Sequence, residues 1–100
     1  MLSKKEIEQF ENKRFEIDLQ SNRMGFRLKS DPIFHTITPE LLSTAVTRGT
    51  LQLTPAGQLI VLMADHQTTG GYPRIGTVIG ADMASLAEMP IGRSFGIKWI

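Results

Sequence analysis

The spacing of apolar and polar side chains predicts a short helix and two strands at the beginning of the chain. Ser3-Lys4-Lys5-Glu6 matches a capping box, and the apolar positions after it predict a helix over residues 3–12. Residues 15–19 alternate between apolar and polar side chains, as a half-buried strand does. Met24 to Leu28 is a second extended segment after a polar turn, so the two segments predict a hairpin.

The middle of the chain contains an irregular stretch and then a second predicted hairpin. Between residues 29 and 48 the pattern loosens and two prolines interrupt it, so we expect a surface excursion with a short helical turn over residues 38–42. Residues 50–53 alternate as a strand. The Pro-Ala-Gly at residues 55–57 predicts a turn, and residues 58–64 predict an apolar strand that returns beside the first.

The last part of the chain predicts two more strands with a helix between them. Residues 75–80 are β-branched and glycine-rich, Asp82 is suited to cap a helix over Met83 to Met89, and residues 95–100 predict a final strand. Many short strands with two minor helices indicate one domain over residues 1–100, a mainly β barrel or sandwich. We expect its free strand edges to be covered by a missing domain or by a second copy.

Polar and glycine positions are concentrated in one run, residues 64–73, which directly follows the apolar residues 59–63. The run reads Ala-Asp-His-Gln-Thr-Thr-Gly-Gly-Tyr-Pro, and we expect it to form a loop. Gly70 and Gly71 permit left-handed backbone and a close approach of the main chain to a ligand. Two interpretations stay open: a binding site, or a loop whose threonines and glutamine satisfy backbone groups.

Asp65 and two arginines are the charged candidates for chemistry. Asp65 ends an apolar strand, where it would act as a general base, orient a substrate amide, or accept N–H groups of the loop backbone. Arg23 and Arg27 share one face of an extended segment. Their guanidinium groups suit a carboxylate or phosphate, and the alternative is a solvated strand face.

Composition and charge exclude several classes of function. A chain of 100 residues with 41% hydrophobic content and a net charge of +1 has no electrostatic basis for binding nucleic acid or an anionic membrane. It has no cysteine and only two distant histidines, so we expect no metal site. A P-loop, a dinucleotide fingerprint and a serine-hydrolase elbow are absent. Without a membrane-length apolar run or a signal sequence, the expected location is the cytoplasm.

Several strings together resemble one family. Ser-Asn-Arg-Met-Gly-Phe-Arg-Leu at residues 21–28 precedes Gly-Thr-Leu-Gln-Leu at 49–53, Gly-Gln at 57–58 and the polar run at 64–73. In this order they resemble the C-terminal part of the biotin-dependent carboxyltransferase family, also called allophanate hydrolase subunit 2. That family includes the C subunit of 5-oxoprolinase and the antagonist of the KipI kinase inhibitor. The resemblance covers nearly the whole chain but only part of the family's usual length.

The resemblance implies a fold and partners. Family members resemble two packed cyclophilin-like β-barrels, so the chain is expected to form the second barrel, whole or partial, without its N-terminal domain. The implied partner is a companion carboxyltransferase-like subunit. Because strand edges are exposed, contacts between copies of the chain through these edges are also expected.

The resemblance implies a hydrolase subunit that is inactive alone. With its companion it would act in the ATP-dependent opening of 5-oxoproline to glutamate, or on a related amide or urea-type substrate. Arg23 would balance a carboxylate or phosphate, and Asp65 would be the catalytic group that contacts the amide. ATP would belong to the complete assembly, this segment would bind no cofactor alone, and the use of biotin stays open. The other substrate-binding residues would be Gln67, Thr68, Thr69, Gly70, Gly71 and Tyr72.

Two departures from the family pattern leave alternatives open. Asn22 stands where the family usually has Asp, and Pro90-Ile91-Gly92-Arg93 replaces the usual Pro-Gly-Asp turn. The main alternative is a regulatory module that binds a KipI-like histidine kinase inhibitor and performs no chemistry. A further alternative is a degenerate paralogue that folds without activity, which Asn22 supports.

Overall fold

The structure is a computed structural model that describes residues 3–18, 21, 25–35, 40–72 and 74–99; within 40–46 and 66–71 it describes the backbone alone. Helices and strands follow one another along the described ranges in an order that begins and ends with a helix. They are α1 (Lys4–Asn12), β1 (Glu16–Ile17), β2 (Gly25–Lys29), β3 (Glu40–Val46), β4 (Thr50–Leu53), β5 (Leu59–Leu62), β6 (His66–Gly71), β7 (Arg74–Thr77) and α2 (Gly80–Ala87).

Helix α1 begins as the sequence predicts. The Ser3 hydroxyl accepts a hydrogen bond from the Glu6 backbone N–H at 3.2 Å, and the Glu6 carboxylate accepts one from the Ser3 N–H at 2.8 Å. This reciprocal pair satisfies backbone donors that a helix start leaves free. Phe10 anchors the buried side of the helix in the core.

The first predicted hairpin is confirmed, although its first strand is short. Strand β1 has two residues and pairs antiparallel with β2, with Ile17 opposite Leu28. Ser21 fixes the connection, because its hydroxyl accepts from the Arg27 N–H at 2.9 Å and lies 3.2 Å from the Arg27 carbonyl oxygen.

The second predicted hairpin, β4 with β5, forms the centre of the main sheet. That sheet has five antiparallel strands in the order β1-β2-β5-β4-β7. All four residues of the central strand β5 are buried, as its continuous apolar sequence predicts. Gly57 closes the turn with a positive φ of 86°, a conformation that glycine adopts without steric cost.

Strands β3 and β6 form a separate ribbon and correct two predictions. Residues 40–42 were expected to make a helical turn and the polar run after Asp65 a loop, yet both segments are strands that pair antiparallel from Val46 opposite His66 to Glu40 opposite Gly71. The two predictions are wrong because cross-strand pairing between distant segments overrides local preference. Residues 38–39 of the expected turn lie outside the described residues.

The end of the chain corrects two further predictions. Helix α2 begins after Ile79, so Asp82 lies in its first turn and does not cap it, although a carboxylate there still suits the positive end of the helix dipole. The expected final strand over residues 95–100 is reduced, within the described ranges, to one antiparallel bridge between Phe95 and Phe15. Residues 96–99 run past the sheet without a ladder.

The expectation of a mainly β fold with two short helices is confirmed. Over the described ranges no strand pairing joins β1 to β7, so the main sheet stays open, as a partial barrel would. None of the helices in those ranges is long and apolar enough to cross a membrane. The largest fully buried side chains are Phe10, Phe15, Leu28, Ile33, Leu53, Leu59, Val61 and Met83.

Candidate functional site

Asp65 lies at the junction between the main sheet and the β3–β6 ribbon. Strand β3 continues into β4 through residues 47–49, and β5 continues into β6 through residues 63–65, so the same two stretches of chain build both sheets. The Asp65 Oδ1 atom accepts a hydrogen bond from the Arg48 backbone N–H at 2.6 Å. This bond holds the two connections next to each other, and Asp65 itself is exposed to solvent.

Gly49 connects the junction to its neighbours through two backbone hydrogen bonds. Its N–H donates to the Leu62 carbonyl at 2.7 Å, and its carbonyl accepts from the Val78 N–H at 2.8 Å. Its φ of 93° is one that side chains with a Cβ atom rarely adopt. The backbone beside Asp65 is therefore tied to β5 on one side and to the segment after β7 on the other.

The polar run leaves this junction as strand β6, and its diglycine lies opposite an irregularity in β3. The pairing shifts between Glu40 and Ser43, so that two residues of β3 stand against Gly70 alone. Such bulges bend and twist a strand pair, and they are frequent beside active sites. The edge of β6 away from β3 carries no strand within the described residues. A strand edge of this kind presents backbone N–H and C=O groups to a ligand.

The structure brings part of the predicted site together. Asp65 directly precedes β6, and Tyr72, which is 38% exposed, directly follows it. Residues 67–71 form the intervening backbone, while their side chains are not described. Arg23 lies outside the described residues, so its convergence with the diglycine stays a prediction. Arg27 is exposed on β2, where its guanidinium donates to the Gln58 side chain at 3.4 Å.

Arg48 is a candidate that the sequence analysis did not single out. It is exposed and its backbone holds the Asp65 carboxylate, so it belongs to the same junction. The signal in the sequence was Gly49 directly before an alternating strand, since glycine marks turns. Within the described residues, no group of three or more His, Asp or Glu side chains is arranged to hold a metal ion.

Comparison with known proteins identifies the family. The family model described as "Carboxyltransferase domain, subdomain A and B" matches residues 1–99. The chain belongs to this carboxyltransferase domain family. The resemblance carried by the polar run and the arginine strand is thereby confirmed.

Two curated relatives agree with this assignment. The C subunit of 5-oxoprolinase from Escherichia coli K12 is 49% identical over 79 residues, which is 79% of this chain. The protein of the same name from Haemophilus influenzae is 48% identical over 81 residues. The chain spans about a quarter, 26%, of the length of each relative. It therefore matches one segment of each of these longer relatives.

Proposed function

We propose that this chain is part of a carboxyltransferase-like subunit that acts with a companion subunit in the ATP-dependent hydrolysis of 5-oxoproline. The observation that carries the proposal is the identity of 48–49% to two proteins that are named as the C subunit of 5-oxoprolinase. The reaction adds water across the lactam C–N bond and yields glutamate. The chain alone is inactive, since a quarter of a subunit lacks most of the groups that orient and enclose a substrate.

The geometry at the junction supports an amide substrate. A lactam presents a C=O and an N–H side by side, and the free edge of β6 offers backbone groups of both kinds. The β3 bulge beside Gly70 adjusts the direction of this edge. Glycines at positions 70 and 71 remove side chains where a planar ligand would approach the backbone.

Asp65 is the proposed catalytic group. Its Oδ1 atom is held by the Arg48 N–H, which orients the carboxylate and leaves the acceptor capacity of Oδ2 for a substrate N–H or an attacking water. Arg23 is proposed to balance the carboxylate of 5-oxoproline. Gln67, Thr68 and Thr69 are proposed to hold the amide, with Tyr72 as a wall at the end of β6.

ATP is proposed to act in the complete assembly. The chain has no P-loop pattern, and its one diglycine is followed by Tyr72, with no lysine and hydroxyl residue of a phosphate-binding loop. We therefore assign the nucleotide to the companion subunit or to the rest of this one. Whether biotin takes part is a separate question that a biotin-depleted assay answers.

A chimera tests the proposal. This chain replaces the matching segment of the C subunit of E. coli 5-oxoprolinase, which is then combined with the companion subunits of that enzyme. Glutamate formed from 5-oxoproline and ATP is measured together with co-purification of the subunits. We expect Arg23→Ala and Gln67→Ala to reduce turnover by about 10²-fold or more without weakening assembly. Arg93→Ala changes an exposed arginine beside the turn that follows α2 and is expected to leave both unchanged.

The other outcomes separate the alternatives. If both substitutions weaken the assembly of the subunits while turnover per assembled enzyme is unchanged, the chain is a regulatory or structural module. If a chimera that assembles forms no glutamate even with Arg23 and Gln67 intact, the degenerate-paralogue alternative is supported and the hydrolase proposal is wrong.

A further inference from the structure

The β3–β6 ribbon has two faces, and its register assigns each position to one of them. Residues two apart in a strand lie on the same face, and residues directly opposite each other in an antiparallel pair share a face. Ser43 lies opposite Thr69 and Ala45 lies opposite Gln67, so these four positions belong to one face. Gly71 follows on β6 by the same alternation, and we call this face the Gly71 face.

The register shift in β3 adds Glu40 to the Gly71 face. Glu40 and Ser43 are three residues apart, so in a regular strand they would lie on opposite faces. The extra residue of β3 cancels this difference, because Glu40 lies opposite Gly71 while Ser43 lies opposite Thr69, only two positions earlier on β6. Bulges are over-represented next to active sites, where they change the direction of the strand. The shift thus places an acidic residue on the face that carries three residues of the predicted site.

A glycine stands directly across from Glu40. Residues opposite each other in an antiparallel pair have Cβ atoms about 4.5–5.5 Å apart, so a side chain at position 71 would take up space beside position 40. Gly71 has no side chain, and the next pair on the same face is Ser43 with Thr69. The register therefore brings one carboxylate-bearing residue and two hydroxyl-bearing residues to one end of the ribbon, around a position that is free of a side chain.

Asp65 belongs to the other end of the ribbon. A strand rises about 3.3 Å per residue, so Asp65 and Gly71 are separated by roughly 20 Å along β6. A five-membered lactam is much shorter than this distance. A ligand bound at Gly71 therefore needs a carboxylate other than Asp65, and the register supplies Glu40.

We propose that Glu40 binds the N–H group of the amide substrate on the Gly71 face. The identity of the substrate rests on the function proposed above. An ionised carboxylate carries acceptors only, and the N–H of a lactam or urea-type compound is a donor that suits it. A charged acceptor also makes a stronger hydrogen bond than a neutral one. The substrate carbonyl is left to the hydroxyls of Ser43 and Thr69.

The same register separates the two threonines that were proposed to hold the amide. Thr69 shares the Gly71 face, whereas Thr68 lies opposite Thr44 on the other face. A substrate on the Gly71 face is therefore held by Thr69 and not by Thr68.

The competing role for Glu40 is protection of a strand edge. Charged residues on edge strands hinder pairing with other chains. Strand β3 has β6 as its one neighbour in the described part of the chain, so its other side is an edge of this kind. Edge protection requires a charge but no ligand, so its loss would cause association of the protein and would leave ligand affinity unchanged.

Two ligands that differ only at the nitrogen test the proposal. The assembled chimera is titrated with 5-oxoproline and with N-methyl-5-oxoproline by calorimetry in the absence of ATP, and its turnover is measured separately. We expect the unsubstituted chimera to bind 5-oxoproline about 10²-fold or more tightly than the methylated compound. Glu40→Ala is expected to weaken 5-oxoproline by about 10- to 100-fold and the methylated compound by less than about threefold.

Three further variants support this comparison. Glu40→Gln keeps the shape and an acceptor oxygen but not the charge, so its effect should lie between those of the unsubstituted chimera and Glu40→Ala, and it replaces Glu40→Ala if that variant does not fold. Glu88→Ala removes an exposed carboxylate after α2, and Thr44→Ala changes β3 on the other face. Both should leave the two affinities within about twofold.

The proposal is overturned if Glu40→Ala weakens both ligands equally, as the loss of a purely structural residue would. Unchanged affinities with association of the variant in sedimentation would assign Glu40 to edge protection. Unchanged affinities with normal turnover would remove Glu40 from the site and leave the proposed reaction standing. If Glu40→Ala abolishes the discrimination in a chimera that forms no glutamate, the binding site is supported and the reaction is contradicted. A chimera that binds neither ligand would overturn both.

Discussion

Asp65 is the residue at which a structural and a chemical role can be separated. Asn at this position keeps an oxygen that accepts the Arg48 N–H but removes the negative charge, whereas Ala removes both. We therefore expect Asp65→Asn to leave the free energy of unfolding within about 0.5 kcal/mol and Asp65→Ala to lower it by about 1 kcal/mol, as measured by urea denaturation. If Asp65 is the general base, Asp65→Asn also lowers turnover in the chimera by about 10²-fold or more.

The exposed Asp31, which we place outside the site, supplies the control for that comparison. Asp31→Asn makes the same chemical change and is expected to affect neither stability nor turnover. A normal rate with Asp65→Asn would show that the carboxylate only fixes the junction, which is the second role that the sequence leaves open for it.

Gly57 allows a sharper test of the fold at a single residue. An added Cβ atom would collide with the Ile33 backbone, 2.6 Å from its nitrogen, and φ is 86°. Gly57→Ala is expected to cost about 3 kcal/mol or more, since left-handed strain and a backbone clash add up. Gly92→Ala isolates the strain, because φ there is 93° and nothing lies within 4 Å of the added atom; its expected cost is about 1 kcal/mol. If urea denaturation shows the same loss of unfolding free energy for Gly57→Ala and Gly92→Ala, this explanation is contradicted.

At the scale of single residues, the sequence predicts chemistry better than contacts. The identity of Asp65 as a carboxylate beside a turn follows from its neighbours, and so does its alternative role as an acceptor of backbone N–H groups. The hydrogen-bond partner of Asp65 cannot be predicted from its neighbours, because Arg48 is 17 residues away. The two residues meet only when β3 pairs with β6. Contacts of that kind depend on tertiary register, which local patterns do not encode.

At the scale of elements, residues 95–99 form a closing segment, and its contact with β7 can be followed by fluorescence. The chain has a single tryptophan, and the Trp99 ring atoms Cζ3 and Cη2 would lie 2.8 and 2.9 Å from a Cβ atom at position 76. Gly76→Ala is therefore expected to displace the indole and shift its emission to longer wavelength as it becomes exposed. Gly80→Ala adds the same methyl group at the start of α2 with nothing within 4 Å, and its emission should be unchanged.

A red shift in both glycine variants, or in neither, would contradict the close packing of Trp99 on β7. The control variant, Gly80→Ala, also has an expected effect on stability. Because Gly80 lies in a helix, Ala there raises the free energy of unfolding by up to about 1 kcal/mol, whereas Gly76→Ala lowers it.

Elements with strong local signals are predicted, and elements that depend on a distant partner are not. The capping box of α1 and the apolar run of β5 each specify their element within a few residues. Strand β6 contains glycine and polar residues that locally favour a loop, and it is a strand only because β3 pairs with it. The closing segment has the alternation of a strand but, in the described ranges, only one bridge.

At the scale of the whole molecule, the closing segment connects both ends of the chain to one core. Phe95 and Trp99 pack against the buried cluster. The rings of Trp99 and Phe10 contact each other edge to face, with their centroids 5.8 Å apart. Removing residues 95–100 is expected to abolish cooperative thermal unfolding, because loss of each aromatic side chain costs about 3 kcal/mol and a small domain has only about 5–15 kcal/mol in total.

Circular dichroism in the near ultraviolet, recorded through a thermal melt, measures that loss of cooperativity. Lys98→Ala changes an exposed side chain in the same segment and is expected to shift the unfolding free energy by less than about 0.5 kcal/mol. A cooperative melt of the truncated chain would show that the five-stranded sheet is stable without its closing segment.

The bond between the Arg14 side chain and the Ser94 carbonyl joins residues 80 positions apart, and the adjacent Phe15–Phe95 bridge spans the same distance. Closing so long a loop costs roughly 2–3 kcal/mol more chain entropy than closing the tight central hairpin. The central hairpin can therefore form early, whereas the bridge at Phe15 forms only when the segment around Phe95 arrives. During that delay the apolar interior is open to other chains, so refolding yield should fall as protein concentration rises.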